Sequence, residues 1–87
     1  MECIVLYGSY AKGEPHEWSD IDLAVISPDF EGIPMNRRQE IITRLTLHRA
    51  PNISPIGYPT SEYQSPGPHS FLREVIHTGR VVYIPAA

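Results

Sequence analysis

Apolar positions along the chain fall into four short runs and two helical-period stretches. Cys3 to Tyr7 is a continuous run of strand formers closed by Gly8, which predicts a buried strand. Asp20 to Ser27 alternates at first, with Asp20 and Asp22 on one face and Ile21 and Leu23 on the other. It then turns apolar on both faces through Ala24, Val25 and Ile26, the pattern of a central strand. Between these runs, Ser9 to Lys12 has room for one helical turn opened by Ser9 and stopped by Gly13. Glu14 to Ser19 holds Pro15 and no periodicity, which predicts a loop, as does the proline-flanked stretch from Ser27 to Pro34.

From Met35 to Arg49, Ile41, Ile42 and Leu45, joined by His48, recur at helical spacing, and Pro51 ends the pattern. That helix would hold Arg37, Arg38, Glu40 and Arg44 largely on its wet side. Asn52 to Tyr58 reads as a third strand, restricted by Pro55 to an edge or an irregular form. A helical turn fits Thr60 to Tyr63. Ser70 to Thr78 predicts a second helix with Phe71, Leu72, Val75 and Ile76 as its apolar face and Gly79 just past its end. Val81 to Ile84 is a last short strand. Strands alternating with helices predict an α/β layered fold, a single domain over residues 1–87 without repeats.

Composition narrows what this domain does. At 87 residues and 41% apolar, its burial margin is thin, so a partner or a homodimer is expected to add to it. The net charge of −3, and a basic set reduced to six arginines and Lys12, argue against a nucleic-acid grip. Cys3 is the only cysteine and sits in an apolar run, so an internal disulfide and a cysteine zinc cage are excluded. With no apolar run near the ~18–20 residues that span a bilayer and no basic leader-like start, a cytoplasmic protein is expected.

The chemistry concentrates between the first two strands. Carboxylates two apart on a strand project the same way and suit a divalent cation, above all Mg²⁺, which takes one or two carboxylates and completes its shell with phosphate and water. Gly8 lets backbone approach a phosphate closely, and the Ser9 hydroxyl with neighbouring N–H groups can donate to it. Together they point to metal-dependent phosphoryl or nucleotidyl transfer. Taken singly each half has a bland reading: a Gly-Ser turn is common, and paired aspartates also occur on solvated edges. Lys12 is placed to assist at phosphates or simply to be solvated. Trp18 offers a stacking surface or packs on the rim. His16, His48, His69 and His77 show no ligand spacing, and the run from Gly8 to Gly13 is neither a Walker loop nor a nucleophile elbow.

The run GSYAKGEPHEWSDIDLAVIS, with Gly8-Ser9, ten residues, then Asp20-x-Asp22, resembles the signature of the polymerase-β nucleotidyltransferase superfamily. It is most similar to the minimal, MNT-type members, short prokaryotic proteins paired with HEPN-domain proteins in toxin–antitoxin systems. The segments ISPIGYPTSEY and FLREVIHTGRVVY resemble that family's third strand and final helix and strand. The resemblance implies a polymerase-β-like fold, a small mixed sheet with helices packed on it. It implies that Asp20 and Asp22 bind Mg²⁺ and are the catalytic pair, and that Gly8 and Ser9, with Lys12 assisting, hold the phosphates of a nucleoside triphosphate. It further implies transfer of AMP from ATP to a HEPN-type toxin, which silences it.

Two features depart from the family pattern. Many members carry a third acidic residue on the third strand, where Ser54 or Ile56 would face the site here, while Glu62 is the nearest downstream acid and reads as a surface residue. The helix that usually precedes the first strand is not in this sequence, so bare apolar surface, and with it a dimer or bound partner, is expected. The competing reading is therefore an antitoxin of weak or no catalysis that neutralises its toxin by binding. A small-molecule transferase of the antibiotic-modifying kind would need a second domain for its acceptor.

Overall fold

Strand β2 (Ile21–Ile26) runs through the middle of a four-stranded sheet. On one side it pairs antiparallel with β1 (Cys3–Tyr7), and on the other parallel with β3 (Ile53–Tyr58). Strand β4 (Arg80–Tyr83) pairs antiparallel with the far side of β1, giving the order β3-β2-β1-β4. The computed structural model describes residues 2–13, 20–46 and 52–85. The loop expected over residues 14–19, with His16 and Trp18, lies outside the described residues, as does His48.

The sheet is mixed because of its connections. The parallel step from β2 to β3 needs a crossover, and helix α1 (Met35–Thr46) supplies it, reached through a short 3-10 turn at Pro28–Phe30. Ser27 starts that turn: its hydroxyl accepts from Asp29 N at 3.2 Å while its own N–H donates to Tyr58 O at 3.0 Å. After β3 come the five-residue helix α2 (Thr60–Gln64) and helix α3 (Phe71–Thr78). Ser70 caps α3 through its hydroxyl, which accepts from Arg73 N, and Gly79 closes it by donating to Val75 O at 2.7 Å. Gly79 also lies where a Cβ would sit 2.7 Å from Val5 Cγ1, so the end of α3 is pressed directly onto β1.

Register decides the core. Cys3 faces Ile26 and Val5 faces Ala24 across β1 and β2, and these four are buried with Tyr58, Leu72 and Val75 under α3. On the opposite face α1 covers β3, and Phe30 and Ile42 fill the space above Gly57. Pro55 takes an edge strand as expected. Its carbonyl, turned away from β2, accepts from Gln39 Nε2 at 3.0 Å, and Gly57 N donates to Gln39 Oε1 at 3.1 Å. One side-chain amide from α1 thus closes an edge that would otherwise offer itself to another chain.

Two expectations on α1 are corrected. Arg38 is not on the wet side but is 7% exposed. Its Nε donates to Ile33 O at 2.7 Å, its Nη1 donates to Gly57 O at 3.0 Å, and its Nη2 lies 3.6 Å from Glu62 Oε1. Five fixed guanidinium donors let it satisfy carbonyls of β3 and of the loop before α1. Glu62, expected as a plain surface acid, is the half-exposed ion-pair partner from α2. Leu45, assigned to the buried stripe, is 67% exposed. Val81, Val82, Tyr83 and Ile84 are exposed too, so apolar surface is bare along β4. No helix among the described residues is long and apolar enough to cross a membrane.

Replacing Arg38 with Met keeps the bulk but leaves the buried Gly57 carbonyl and the part-buried Ile33 carbonyl without their charged donor, and should cost about 3 kcal/mol. Arg37→Met, which removes only an exposed pair with Glu40, should change stability by less than about 0.5 kcal/mol. Urea unfolding midpoints of the two variants decide between this buried role and an exposed one.

Candidate active site

The antiparallel register puts Tyr7, the last residue of β1, opposite Asp22. The chain therefore turns at Gly8 directly beside the aspartate. Gly8 has φ +76°, in the left-handed region that side chains avoid, and a Cβ built on it would overlap Asp22 Oδ2. Glycine is needed here on both counts. The residues that follow make a single helical turn, closed by Lys12 N donating to Gly8 O at 3.2 Å and by Gly13 N donating to Tyr10 O at 3.3 Å. That is the turn expected from Ser9 to Lys12, and Gly13, also at positive φ, stops it.

Asp20 is exposed at the entrance of β2 and Asp22 is half-buried one step inside. Ile21 N donates to Asn52 O at 3.0 Å, which holds this entrance against the start of β3. Burial pushes the Asp22 carboxyl above its ordinary value, and the neighbouring charge of Asp20 adds to the effect. Tyr7 is pushed up to about 12, first by burial and then by Asp22, so its phenol stays protonated beside the carboxylates. Among the described residues neither aspartate makes an ion pair, and no group of three or more His, Cys, Asp or Glu is placed to hold a metal. The pair alone fits Mg²⁺, a hard cation that takes few protein oxygens and shares its shell with substrate phosphate.

The third strand brings no acid. Ser54 of β3 is the register partner of Asp22, and Ile56 is the partner of Ala24 one step deeper. These are the two positions expected to face the site. Ser9 is half-buried beside Gly8, and Lys12 is exposed. Gly8 and Lys12 line one wall of a cavity of about 200 Å³. Its other wall belongs to α3 and includes Phe71 and Glu74, which the sequence reading did not connect with the site. Phe71 was expected in the apolar face of α3, yet it is 55% exposed and meets Tyr7 edge-on, with ring centroids 5.6 Å apart. The signal lay in the helical stripe Phe71, Glu74, Val75, Thr78, whose mixed polarity suits a cavity wall better than a core.

Three comparisons bear on this arrangement. The nucleotidyltransferase domain family matches residues 2–62, from β1 into α2, and so includes the Gly8 turn and both aspartates. A candidate protein adenylyltransferase of Methanocaldococcus jannaschii is 33% identical over 81 residues, covering 92% of this chain and 76% of that protein. The crystal structure of a candidate nucleotidyltransferase from Sulfolobus solfataricus superposes with a TM-score of 0.69 at 19% identity, a likeness of fold. The superposition covers 97% of this chain but 64% of that one, so the present chain spans just under two thirds of its length.

Two consequences of the Gly8–Asp22 approach are measurable. The folded protein holds the Asp22 proton more tightly than the unfolded chain does. Asp22 therefore removes stability as pH rises from the ordinary carboxylate value through its raised one, and removes none below it. With metal chelated, Asp22→Asn should melt higher than the wild type at pH 7, and the difference should fade as pH drops through about 4. Gly8→Ala should cost about 1–2 kcal/mol for the left-handed backbone plus the overlap with Asp22. The cost should be smaller in an Asp22→Ala background, as a double-mutant cycle of melting temperatures will show.

Proposed function

The chain belongs to the nucleotidyltransferase domain family of the polymerase-β superfamily, and we propose that it transfers AMP from ATP to a hydroxyl group of a partner protein. The observation that carries this reading is the Gly8 turn packed against Asp22, one register step from the end of β1. It joins a place for phosphate to a place for a cation. The acceptor class is supported by the archaeal relative described as a candidate protein adenylyltransferase. The MNT-type resemblance extends the reading to a HEPN-type toxin as the partner, silenced by the modification.

In this reaction the acceptor oxygen attacks the α-phosphorus, the bond from that phosphorus to the bridging oxygen breaks, and pyrophosphate leaves while the hydroxyl proton passes to water. Mg²⁺ held by Asp20 and Asp22 would polarise the α-phosphate and offset charge on the leaving group. The chain's own part is positional. Gly8 admits phosphate to the backbone, and the Ser9 hydroxyl and Lys12 ammonium supply donors on the same turn. Tyr7 presents a neutral phenol next to Asp22.

One observation favours a second reading. Because Ser54 stands where a third carboxylate would face Asp22, no acid on β3 can take the acceptor proton. A site lacking that base is compatible with an antitoxin that binds ATP and its toxin but turns over weakly.

Incubation with a HEPN-type partner, Mg²⁺ and ATP labelled on the α-phosphate should label the partner, whereas label on the γ-phosphate should not transfer. Asp20→Asn combined with Asp22→Asn should abolish the signal. Labelling that survives this double substitution would remove the aspartates from the mechanism. A tight complex without labelling would select the binding antitoxin.

A further inference from the structure

Helix α3 lies beyond residues 2–62, the part that matches the nucleotidyltransferase family, yet it forms the second wall of the cavity at the Gly8 turn. Phe71, Glu74, Val75 and Thr78 follow the three- and four-residue spacing that puts them on one helical face, and all four line that cavity opposite Gly8 and Lys12. Phe71 and Glu74 also line a second, larger cavity of about 640 Å³ that continues along α3 to His69 and His77. Phe71 and Glu74 thus border both cavities, and the smaller one puts them across from the Gly8 turn. The larger cavity alone has the size typical of small-ligand sites, about 300–1,000 Å³.

Phe71 gains little from its position in the apoprotein. More than half its surface is open, although full burial of such a ring contributes about 1.5–3 kcal/mol. Tyr7 touches it edge-on at 79° and fixes its place without covering it. An aromatic ring held in this way beside a phosphate turn is a stacking platform. Charge gives the smaller cavity a direction, whereas the larger one is lined by Arg73 as well as Glu74. Lys12 is the cation next to the turn, while Glu74, one helical turn past Phe71, repels phosphate and accepts hydrogen bonds only. A ligand with phosphates at one end and a ring bearing amino groups at the other matches that order.

We propose that Phe71 and Glu74 form the nucleobase subsite of this domain, with a purine ring against Phe71 and its amino edge towards Glu74. The assignment rests on the nucleotidyltransferase reading given above and adds the base-binding residues, with a preference for adenine over uracil. Phe71 contributes through the base alone, so its effect is absent from a ligand that has only the phosphates.

Calorimetric titration of the protein with Mg²⁺ and ATP, UTP or inorganic tripolyphosphate tests this. The wild type should bind ATP more tightly than UTP. Phe71→Ala should weaken ATP by about 5- to 150-fold, the range that base–aromatic stacking carries, and leave tripolyphosphate unchanged. Phe71→Tyr should restore ATP binding, and Glu74→Ala should narrow the preference for ATP over UTP. Melting curves confirm that each variant is folded, and Phe71→Tyr against Phe71→Leu carries the comparison if the alanine variant does not fold. Unchanged ATP affinity in a folded Phe71→Ala variant, or equal losses for ATP and tripolyphosphate, would overturn the subsite and leave the nucleotidyltransferase reading standing. Failure of the wild type to bind either ATP or tripolyphosphate would overturn that reading and the subsite together.

Discussion

The contact between Gly8 and Asp22 is the constraint that the rest of this small domain serves. It exists because β1 ends opposite Asp22, so that the chain must reverse within one residue of a half-buried carboxylate. Only a residue without a side chain can do so at positive φ. The pairing of β1 with β2 is in turn held by the core: Val5 against Ala24 and Cys3 against Ile26, all buried under α3. A slip of one residue would bring Leu23 or Ile21 to the turn and send Ala24 and Ile26 to the wrong face. The same packing that stabilises the sheet therefore sets the geometry of the site, and the two cannot be tuned separately.

The site itself works against stability. Asp22 is partly desolvated next to Asp20, with no cation from the described residues to offset either charge. In a chain of this size that cost must be met elsewhere. The compensation lies on the other side of β3, where Arg38 gathers the carbonyls of Ile33 and Gly57 and the carboxylate of Glu62, and Gln39 closes the open edge at Pro55 and Gly57. Both side chains come from adjacent residues of α1. A polar network thus does for the outer edge of β3 what a neighbouring strand does for the edges of β1 and β2.

How much of this could be read from the sequence depends on how local each signal was. Asp20 and Asp22 announced themselves because a strand's period of two is fixed by backbone geometry alone, and the turn was marked by a glycine that no other residue can replace. Arg37 and Arg38 were indistinguishable by composition and period. What separates them is the position of Ile33, Gly57 and Glu62, which becomes defined only when α1 lies on β3. Leu45 failed for the complementary reason: it continues the apolar spacing of α1 at a point beyond the cover of the sheet, so the pattern is present and the partner surface is not. The family resemblance supplied the fold and the roles expected of Gly8, Ser9, Asp20 and Asp22, but gave α3 no part in the site. Phe71 read as core because an aromatic residue at the start of an amphipathic helix usually is.

The missing acid on β3 has a structural meaning beyond its effect on proton transfer. Ser54 is exposed and sits next to Asp22 in a parallel pair, so the position is not crowded, and nothing in the local packing forbids a carboxylate there. It lies near the start of the edge strand β3, beside the entrance of β2. The cavity between the Gly8 turn and α3 lies on the β1 side, away from β3. Among the described residues the two sides of the aspartate pair are thus chemically unequal: a turn and a helix stand on the β1 side, and a serine on the β3 side. An acceptor approaching from the β3 side would bring its own groups to the place where β3 supplies a serine. A macromolecular acceptor can bring side chains to that position in a way a small molecule cannot, which is consistent with the protein acceptor proposed above.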